Sequence, residues 1–353
     1  MAEKDAYSKL MERHGYPNSE RYRRIMEYLM TPQQARIAEE LPAPLEKLAP
    51  KLQLPVRTIE SELDQLYIKG VVFPRNFQTR EGYRFARSVG QFHDATQSSI
   101  KTDPLRERSL FELWEDFCHA EWYPDTAAEM ARRQIPNLRV VPAYQAIKDI
   151  PGILPCEDIR EILKAAPLIA VCVCSCRQRE GAMGHPCNRS GAENCIQLAR
   201  GAEYVINRGS GRRLSYEEAL AMMDADEEDG LVHQWVNSTA KVINTMCSCC
   251  RDCCIMRVPL DEHGVHVGKV WAKSRFEARV DWDLCNGCQD CVERCLFDAI
   301  EMVKPEDSKK YKAMVDAEKC WGCGVCVLGC AAGALSMALV RPPEHIPQAA
   351  PAR

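Results

Sequence analysis

Residues 19–30 read as a helix, and the pattern restarts at Thr31-Pro32, where a threonine N-cap precedes proline at the first helical position. Pro42-Ala-Pro44 breaks that second helix, and a short third one follows to about Leu52. From Pro55 to Lys69 the apolar residues Val56, Ile59, Leu63, Leu66 and Tyr67 fall on one stripe that ends at Gly70. Val71-Val72-Phe73 and Tyr83-Arg84-Phe85 then alternate as a hairpin. Leu110, Leu113, Trp114 and Phe117 make an apolar stripe on a helix predicted from Leu105 to Trp122, with Cys118 a buried thiol and His119 a satisfied histidine on it. A strand is predicted at Leu138–Val141, a helix from Glu157 to Ala166, and a buried strand in the β-branched run that starts at Leu168. Further on, Cys195 opens a helix spanning Ala192 to Asn207 that ends at Gly209. Ser215-x-x-Glu218 is a capping box for a helix with Tyr216, Ala219, Leu220 and Met223 on one face. Lys241–Met246 reads as another strand. Strand, helix, strand order implies a small α/β unit in the middle of the chain.

Composition changes the picture at one residue type. Of 353 residues 20 are cysteine; the first 117 contain none, ten lie between Cys172 and Cys254, and eight between Cys285 and Cys330. The N-terminus lacks a basic-then-apolar signal segment, and no apolar run reaches the roughly 18 residues of a membrane span. The expectation is therefore a cytoplasmic protein in a reducing compartment, where crowded cysteines serve as metal ligands rather than disulfides. Charge is nearly balanced, 46 Lys+Arg against 50 Asp+Glu, which argues against a general nucleic-acid binder.

The last third carries the sharpest motif. Cys285-x2-Cys288-x2-Cys291-x3-Cys295 is followed by Cys320-x2-Cys323-x2-Cys326-x3-Cys330, and the flanks align at the same offset of 35 residues without a gap. One supersecondary unit is used twice. Three thiolates two residues apart converge on one cubane from a tight loop, and the fourth, read as beginning a short helix that leads away, reaches the other cluster. Cys285, Cys288, Cys291 and Cys330 are thus expected on one [4Fe–4S] cluster, and Cys320, Cys323, Cys326 and Cys295 on the second. Gly287 and Gly322 are expected where backbone passes close to sulfide, and Trp321 either shields a cluster or simply packs. The segment resembles the bacterial-type two-cluster ferredoxin domain over roughly residues 276–340. It departs from the family's pattern in placing Leu296 and Ala331 where proline usually follows the fourth cysteine. A pair of zinc sites fits this spacing poorly. The charged stretch 301–314 between the repeats reads as a solvated hairpin.

The middle cysteines are less determinate. Cys172, Cys174 and Cys176 share one strand face while the strand lasts; His185-Pro-Cys187 and Cys195 follow, then Cys247, Cys249, Cys250, Cys253 and Cys254. Two strand ends converging on one metal centre is the simplest picture. At least one further Fe–S cluster is expected, with Cys176, Cys187, Cys195 and Cys250 as the preferred ligands; a structural zinc with buried free thiols is the alternative. Arg177 and His185 stand beside these ligands, a surface or supporting role being expected. Cys156 reads as structural. Gly209-Ser-Gly211-Arg212-Arg213 lacks the lysine and spacing of a P-loop and reads as a helix C-cap followed by a basic loop. Asp224, Asp226, Glu227, Glu228 and Asp229 form an acidic helix end, able to dock a basic redox partner or simply solvated. Over roughly residues 25–340 the chain resembles iron–sulfur proteins of anaerobic bacteria and archaea that carry a Cys-x-Cys-Arg element, a cluster of adjacent cysteines and a terminal two-cluster ferredoxin.

These elements give an α+β multidomain chain: a winged-helix-like docking domain at 1–104, a small α/β Cys-rich iron–sulfur domain at 105–270, a bacterial ferredoxin-like domain of ββαββα type at 271–340, and a flexible tail at 341–353. The N-terminal helices and hairpin resemble a winged helix, but its reading helix sets Arg57 and Lys69 against Glu60, Glu62 and Asp64, and acidic residues repel phosphates. A wing with Arg75, Arg80, Arg84 and Arg87 and no basic reading helix fits protein docking better than DNA. The expected function is one-electron transfer to or from a partner oxidoreductase or larger complex, more a subunit than a self-contained enzyme. Two alternatives stand: an iron–sulfur reductase whose active site is the Cys172–Cys254 region, fed by the ferredoxin domain, and a redox-sensing winged-helix regulator. No catalytic triad, paired carboxylates or nucleotide fingerprint names a catalyst, and the small-molecule substrate stays open.

Overall fold

The computed structural model describes residues 4–349 apart from 100, 102, 104, 190–192, 241–242, 307 and 309. The chain forms two compact units that are not consecutive segments. Met1–Tyr123, Cys172–Pro186 and Ala202–Arg212 make the first; Pro124–Val171, Cys187–Gly201 and Arg213–Arg353 make the second.

In the first unit two of the predicted helix starts are fixed by a capping side chain. Ser19 caps Glu20–Leu29 through Tyr22 N–H, and Thr31 forms a full capping box with Gln34 at the start of Pro32–Glu39. Leu45–Leu52 follows, then Val56–Lys69, whose stripe buries Ile59, Leu63, Leu66 and Tyr67. Val56, the first residue of that helix, stays exposed. The hairpin is antiparallel, β1 (Val72–Phe73) on β2 (Arg84–Phe85), with Val72 opposite Phe85. The helix expected from Leu105 begins at Arg108, runs to Phe117 and continues through a π-turn, Cys118–Trp122. Its face packs Trp114 and Phe117 on Tyr22 and Phe92, with Tyr22 and Phe117 stacked at 4.6 Å; each such aromatic contributes about 1.5–3 kcal/mol of burial. Arg208, 3 % exposed, donates to the carbonyls of Ala95 and Ser98, so it finds hydrogen bonds where it has lost water.

A seven-stranded sheet orders its strands β6-β4-β5-β8-β7-β3-β9: β3 Leu138–Val141, β4 Ile169–Val173, β5 Glu193–Leu198, β6 Gly211–Leu214, β7 Val232–Val236, β8 Thr245–Cys249 and β9 Trp271–Ala272. The chain passes from one unit to the other inside β4 and inside β6. In the second unit β5 pairs antiparallel with β8, β8 with β7 and β7 with β3, while β3 and β9 are parallel. Ile159, Ile162 and Leu163 of the helix Ile159–Ala165 cover one face with Ile196, Leu198, Trp235 and Met246.

Several expectations change here. Cys195 lies on β5, not on a helix: Glu193 to Leu198 alternates part-buried and buried, a period of two, and pairing with β8 selects the strand. The helix starts only at Arg200. β4 stops at Val173, so Cys172 is on the strand, Cys174 is the N-cap and Cys176 stands in the first turn of the helix Ser175–Ala182; the three do not share a strand face. β5 also stands between β4 and β8. The basic loop after Gly209 is the strand β6. Of the strand expected at Lys241–Met246, residues 241–242 lie outside those described, and β8 begins at Thr245. The acidic helix end is half internal. Glu227, 1 % exposed, accepts from Tyr144 N–H at 2.8 Å and lies 3.3 Å from His233 Nε2. Arg294 donates to the terminal carbonyls of Glu227 and Glu228, a helix C-terminus closed by a cation. The start of the expected tail is held: Ile346 is buried, and Ala349 N–H bonds Thr239.

Candidate metal centres

The duplicated segment folds as strand, helix, strand, used twice, rather than as ββαββα. β10 (Phe276–Val280) and β11 (Ile300–Val303) flank the first set of cysteines, β12 (Lys312–Val315) and β13 (Leu335–Leu339) the second. The strands pair crosswise, β10 with β13 and β11 with β12, all antiparallel. The register obeys the sequence offset: Val280 faces Leu335 and Val315 faces Ile300; Ala278 faces Met337 and Ala313 faces Met302. An exchange of the two repeats thus leaves the pairing unchanged, and each repeat supplies one strand to each pair.

This crossing brings the cysteines together as the spacing implied. One cavity is lined by Cys285, Cys288, Cys291 and Cys330, with Val280, Met302 and Leu335 as apolar walls. A second is lined by Cys295, Cys320, Cys323 and Cys326, with Ile300, Val315 and Trp321. The third cysteine of each set, not the fourth, is helical: Cys291 lies in Asp290–Glu293 and Cys326 in Val325–Leu328, while Cys295 and Cys330 follow them. Backbone N–H groups point at the crossing sulfurs, Ala299 at Cys295 Sγ (3.2 Å) and Ala334 at Cys330 Sγ (3.3 Å), again related by the offset. Four convergent thiols, apolar walls and N–H donors to sulfur are the donor set a [4Fe–4S] cubane takes.

The two cavities differ in exposure. Cys288 is exposed, whereas Cys320, Cys323 and Cys326 are all buried. Burial pushes the Cys291 thiol up to about 11 and Cys323 up to about 12, so as free thiols both hold their protons at neutral pH and must release them to bind metal. Trp321 is buried against Phe297 and donates to the carbonyl of Trp271 at 3.0 Å; it walls the second cavity and packs at once. Gly287 (φ +82°) and Gly322 (φ +71°) are required less by sulfide than by the facing strand: a Cβ would strike the carbonyl of Tyr311 at the first and of Phe276 at the second. Gly287→Ala is expected to cost about 1–3 kcal/mol for a side chain held in the left-handed region, read as a lower midpoint of thermal unfolding by circular dichroism.

The ten middle cysteines are divided. Cys172, Cys174 and Cys176 belong to the first unit, where Cys176 hydrogen-bonds Cys174 and its thiol is raised by that bond and by burial. In the same unit Arg177 is buried and His185 exposed. The other seven cysteines belong to the second unit and form two groups. Cys187 Sγ lies 3.7 Å from Cys250 Sγ, which lies 3.1 Å from Cys253 Sγ, and Asp252 joins them, its Oδ1 3.9 Å from Cys187. A hydrogen bond from Cys253 draws the Cys250 thiol down to about 7. In the second group Cys249 hydrogen-bonds both Cys247 and Cys254, which with burial raises its thiol. The pairing of Ile196 with Met246, continued by one residue, sets Cys195 opposite Cys247 on that same sheet face; Gln197 Nε2 donates to Cys195 Sγ at 3.1 Å. Of the four preferred ligands, Cys187 and Cys250 are therefore in contact, Cys195 belongs to the other group, and Cys176 to the other unit. Asp252 was missed, although it stands between two cysteines in Cys250-Arg-Asp-Cys253. Cys118 and Cys156 are buried thiols raised by desolvation, and His119 pairs with Glu115 at 3.0 Å. Among the described residues no helix is long and apolar enough to cross a membrane.

Residues 284–334 match the family model of the 4Fe-4S dicluster domain. No curated protein and no solved structure matches the chain. The C-terminal part is thus an iron–sulfur dicluster domain.

Proposed function

We propose that this protein relays single electrons to or from a partner oxidoreductase through two [4Fe–4S] clusters, one on Cys285, Cys288, Cys291 and Cys330 and the other on Cys320, Cys323, Cys326 and Cys295. The observation that carries this reading is the pair of cavities, each lined by three cysteines of one repeat and the fourth of the other. When bound, such clusters supply reversible one-electron chemistry. The chain's own part is to keep water from the second site with Trp321, Ile300 and Val315, and to direct the N–H groups of Ala299 and Ala334 at sulfur, which favours the more negative, reduced state. The partner meets the first site, where Cys288 is exposed and Trp282, Leu284 and Tyr311 stand out from the surface nearby.

Residues 1–104, within the first unit, serve as a winged-helix-like docking module. Two of its four wing arginines are engaged internally, Arg80 with Asp64 at 2.7 Å and Arg84 with Gln91 and the ring of Phe73, which favours a protein partner over nucleic acid. The sheet-face group Cys195, Cys247, Cys249 and Cys254 supplies four thiols for one further cluster. Dithionite reduction of anaerobically purified protein tests the reading. Reducible [4Fe–4S] signals by electron paramagnetic resonance are expected, with about twelve iron atoms per chain for three clusters or about eight for the dicluster alone, at four per cubane. A chain without any reducible cluster signal would refute it.

A further inference from the structure

The Cys187, Cys250, Cys253 and Asp252 group is drawn together more tightly than the cysteines that line the two dicluster cavities. Its four ligand atoms lie within 4.8 Å of one another, and among the described residues no other set of three or more Cys, His, Asp or Glu side chains gathers so closely as a candidate ion site. The eight cysteines of the dicluster line their two cavities without drawing so close together. Thiolates on different irons of a cubane are held apart by the inorganic core between them. Thiolates on one tetrahedral ion at about 2.3 Å stand only about 3.8 Å apart, and a thiolate and a carboxylate oxygen about 3.6 Å. The separations of 3.7 and 3.9 Å match the second case, and the 3.1 Å between Cys250 and Cys253 leaves no room for an inorganic core between those sulfurs.

We propose that Cys187, Cys250, Cys253 and Asp252 bind one tetrahedral divalent ion of the zinc type. Three thiolates and a carboxylate suit a borderline-soft ion without geometric preference of its own. The carboxylate is already oriented, since the backbone N–H of Asn188 donates to it, the kind of outer contact that fixes a ligand. Leu231 packs on the sulfurs from the apolar side. The ion ties the Cys187 segment to the turn after β8 across 63 residues of sequence, a structural staple that closes a long loop. This site is independent of the electron-transfer reading: it needs no cluster at the other cysteines.

Full-length protein supplied with Co²⁺ as the sole added divalent metal is the direct probe. The expected result is one Co²⁺ per chain with the intense visible bands of tetrahedral cobalt and thiolate-to-cobalt charge transfer. Cys253→Ser should lower the charge-transfer intensity by about a third. Asp252→Ala, at an exposed position, should weaken Co²⁺ binding at least about tenfold. Iron and acid-labile sulfide should be unchanged in both variants. Zinc-loaded protein should show sulfur at about 2.3 Å and oxygen at about 2.0–2.2 Å by X-ray absorption. The proposal is overturned if folded protein takes up no stoichiometric Co²⁺ or Zn²⁺. It is equally overturned if Asp252→Ala or Cys253→Ser removes about four iron atoms and their sulfide, since the site would then be a cluster. Failure of the electron-transfer reading would show in the reduced spectra and leave the cobalt result standing.

Discussion

Replacing Cys330 with alanine is expected to remove about four iron atoms per chain, and to remove them from the site of Cys285, Cys288 and Cys291 rather than from the repeat in which Cys330 itself lies. The structure places Cys330 in the first cavity and Cys295 in the second. Alanine is the informative choice because a serine oxygen can still ligate iron. The site that loses its ligand is also the one nearer water, through Cys288, so a three-cysteine remnant there is poorly protected. The second set keeps all four of its own thiols, three of them buried. Cys295→Ala is the mirror experiment and should spare the first site. The measurement is iron and sulfide per chain together with spin counts of the reduced protein. If Cys330→Ala instead spares Cys285, Cys288 and Cys291 and empties Cys320, Cys323 and Cys326, the crosswise assignment is wrong.

The dicluster was legible because its information is local and repeated. Spacing tells which cysteines converge, and an ungapped offset of 35 residues already implies two equivalent units. Spacing does not tell which cysteine sits in the helix, and there the reading slipped from the third to the fourth. The N-terminal helices were readable for a similar reason, since Thr31-Pro32 and Gly70 act on their own neighbours. Cys195 was misread because a short alternating run has no strand character until β8 lies beside it, and β8 is some fifty residues further on. The same holds for Glu227. In sequence it is one of five acidic residues at a helix end, and the Tyr144 N–H, 83 residues away, and the buried His233 ring beside its carboxylate reveal that it faces inward. Asp252 was overlooked for a chemical reason. A single carboxylate among thiols resembles loop polarity until the sulfurs on either side of it are seen to close around one point.

Glu157→Ala is expected to destabilise the protein by about 3–5 kcal/mol, the cost of stranding one partner of a buried ion pair. Glu157 and Arg275 meet at 2.8 Å with their side chains 0 % and 3 % exposed. Arg275 stands immediately before β10 and also donates to the carbonyls of Gly152 and Arg341, while Glu157 accepts from Leu154 N–H at 3.1 Å. The pair therefore ties the 152–157 loop and the 341 region to the entry of the dicluster domain. With the carboxylate gone, the guanidinium keeps two neutral acceptors but no countercharge, and water cannot reach it without opening the loop. The pair itself need not be worth that much, because each ion was desolvated to form it. Glu157→Leu combined with Arg275→Met should thus recover most of the loss, although Arg275→Met alone should not. Urea unfolding of anaerobic protein followed by circular dichroism supplies the cost of Glu157→Ala and, with Glu157→Leu alone added, the four free energies of the Leu/Met cycle, and a Glu157→Ala cost below about 1 kcal/mol would mean that solvent reaches Arg275 despite its burial.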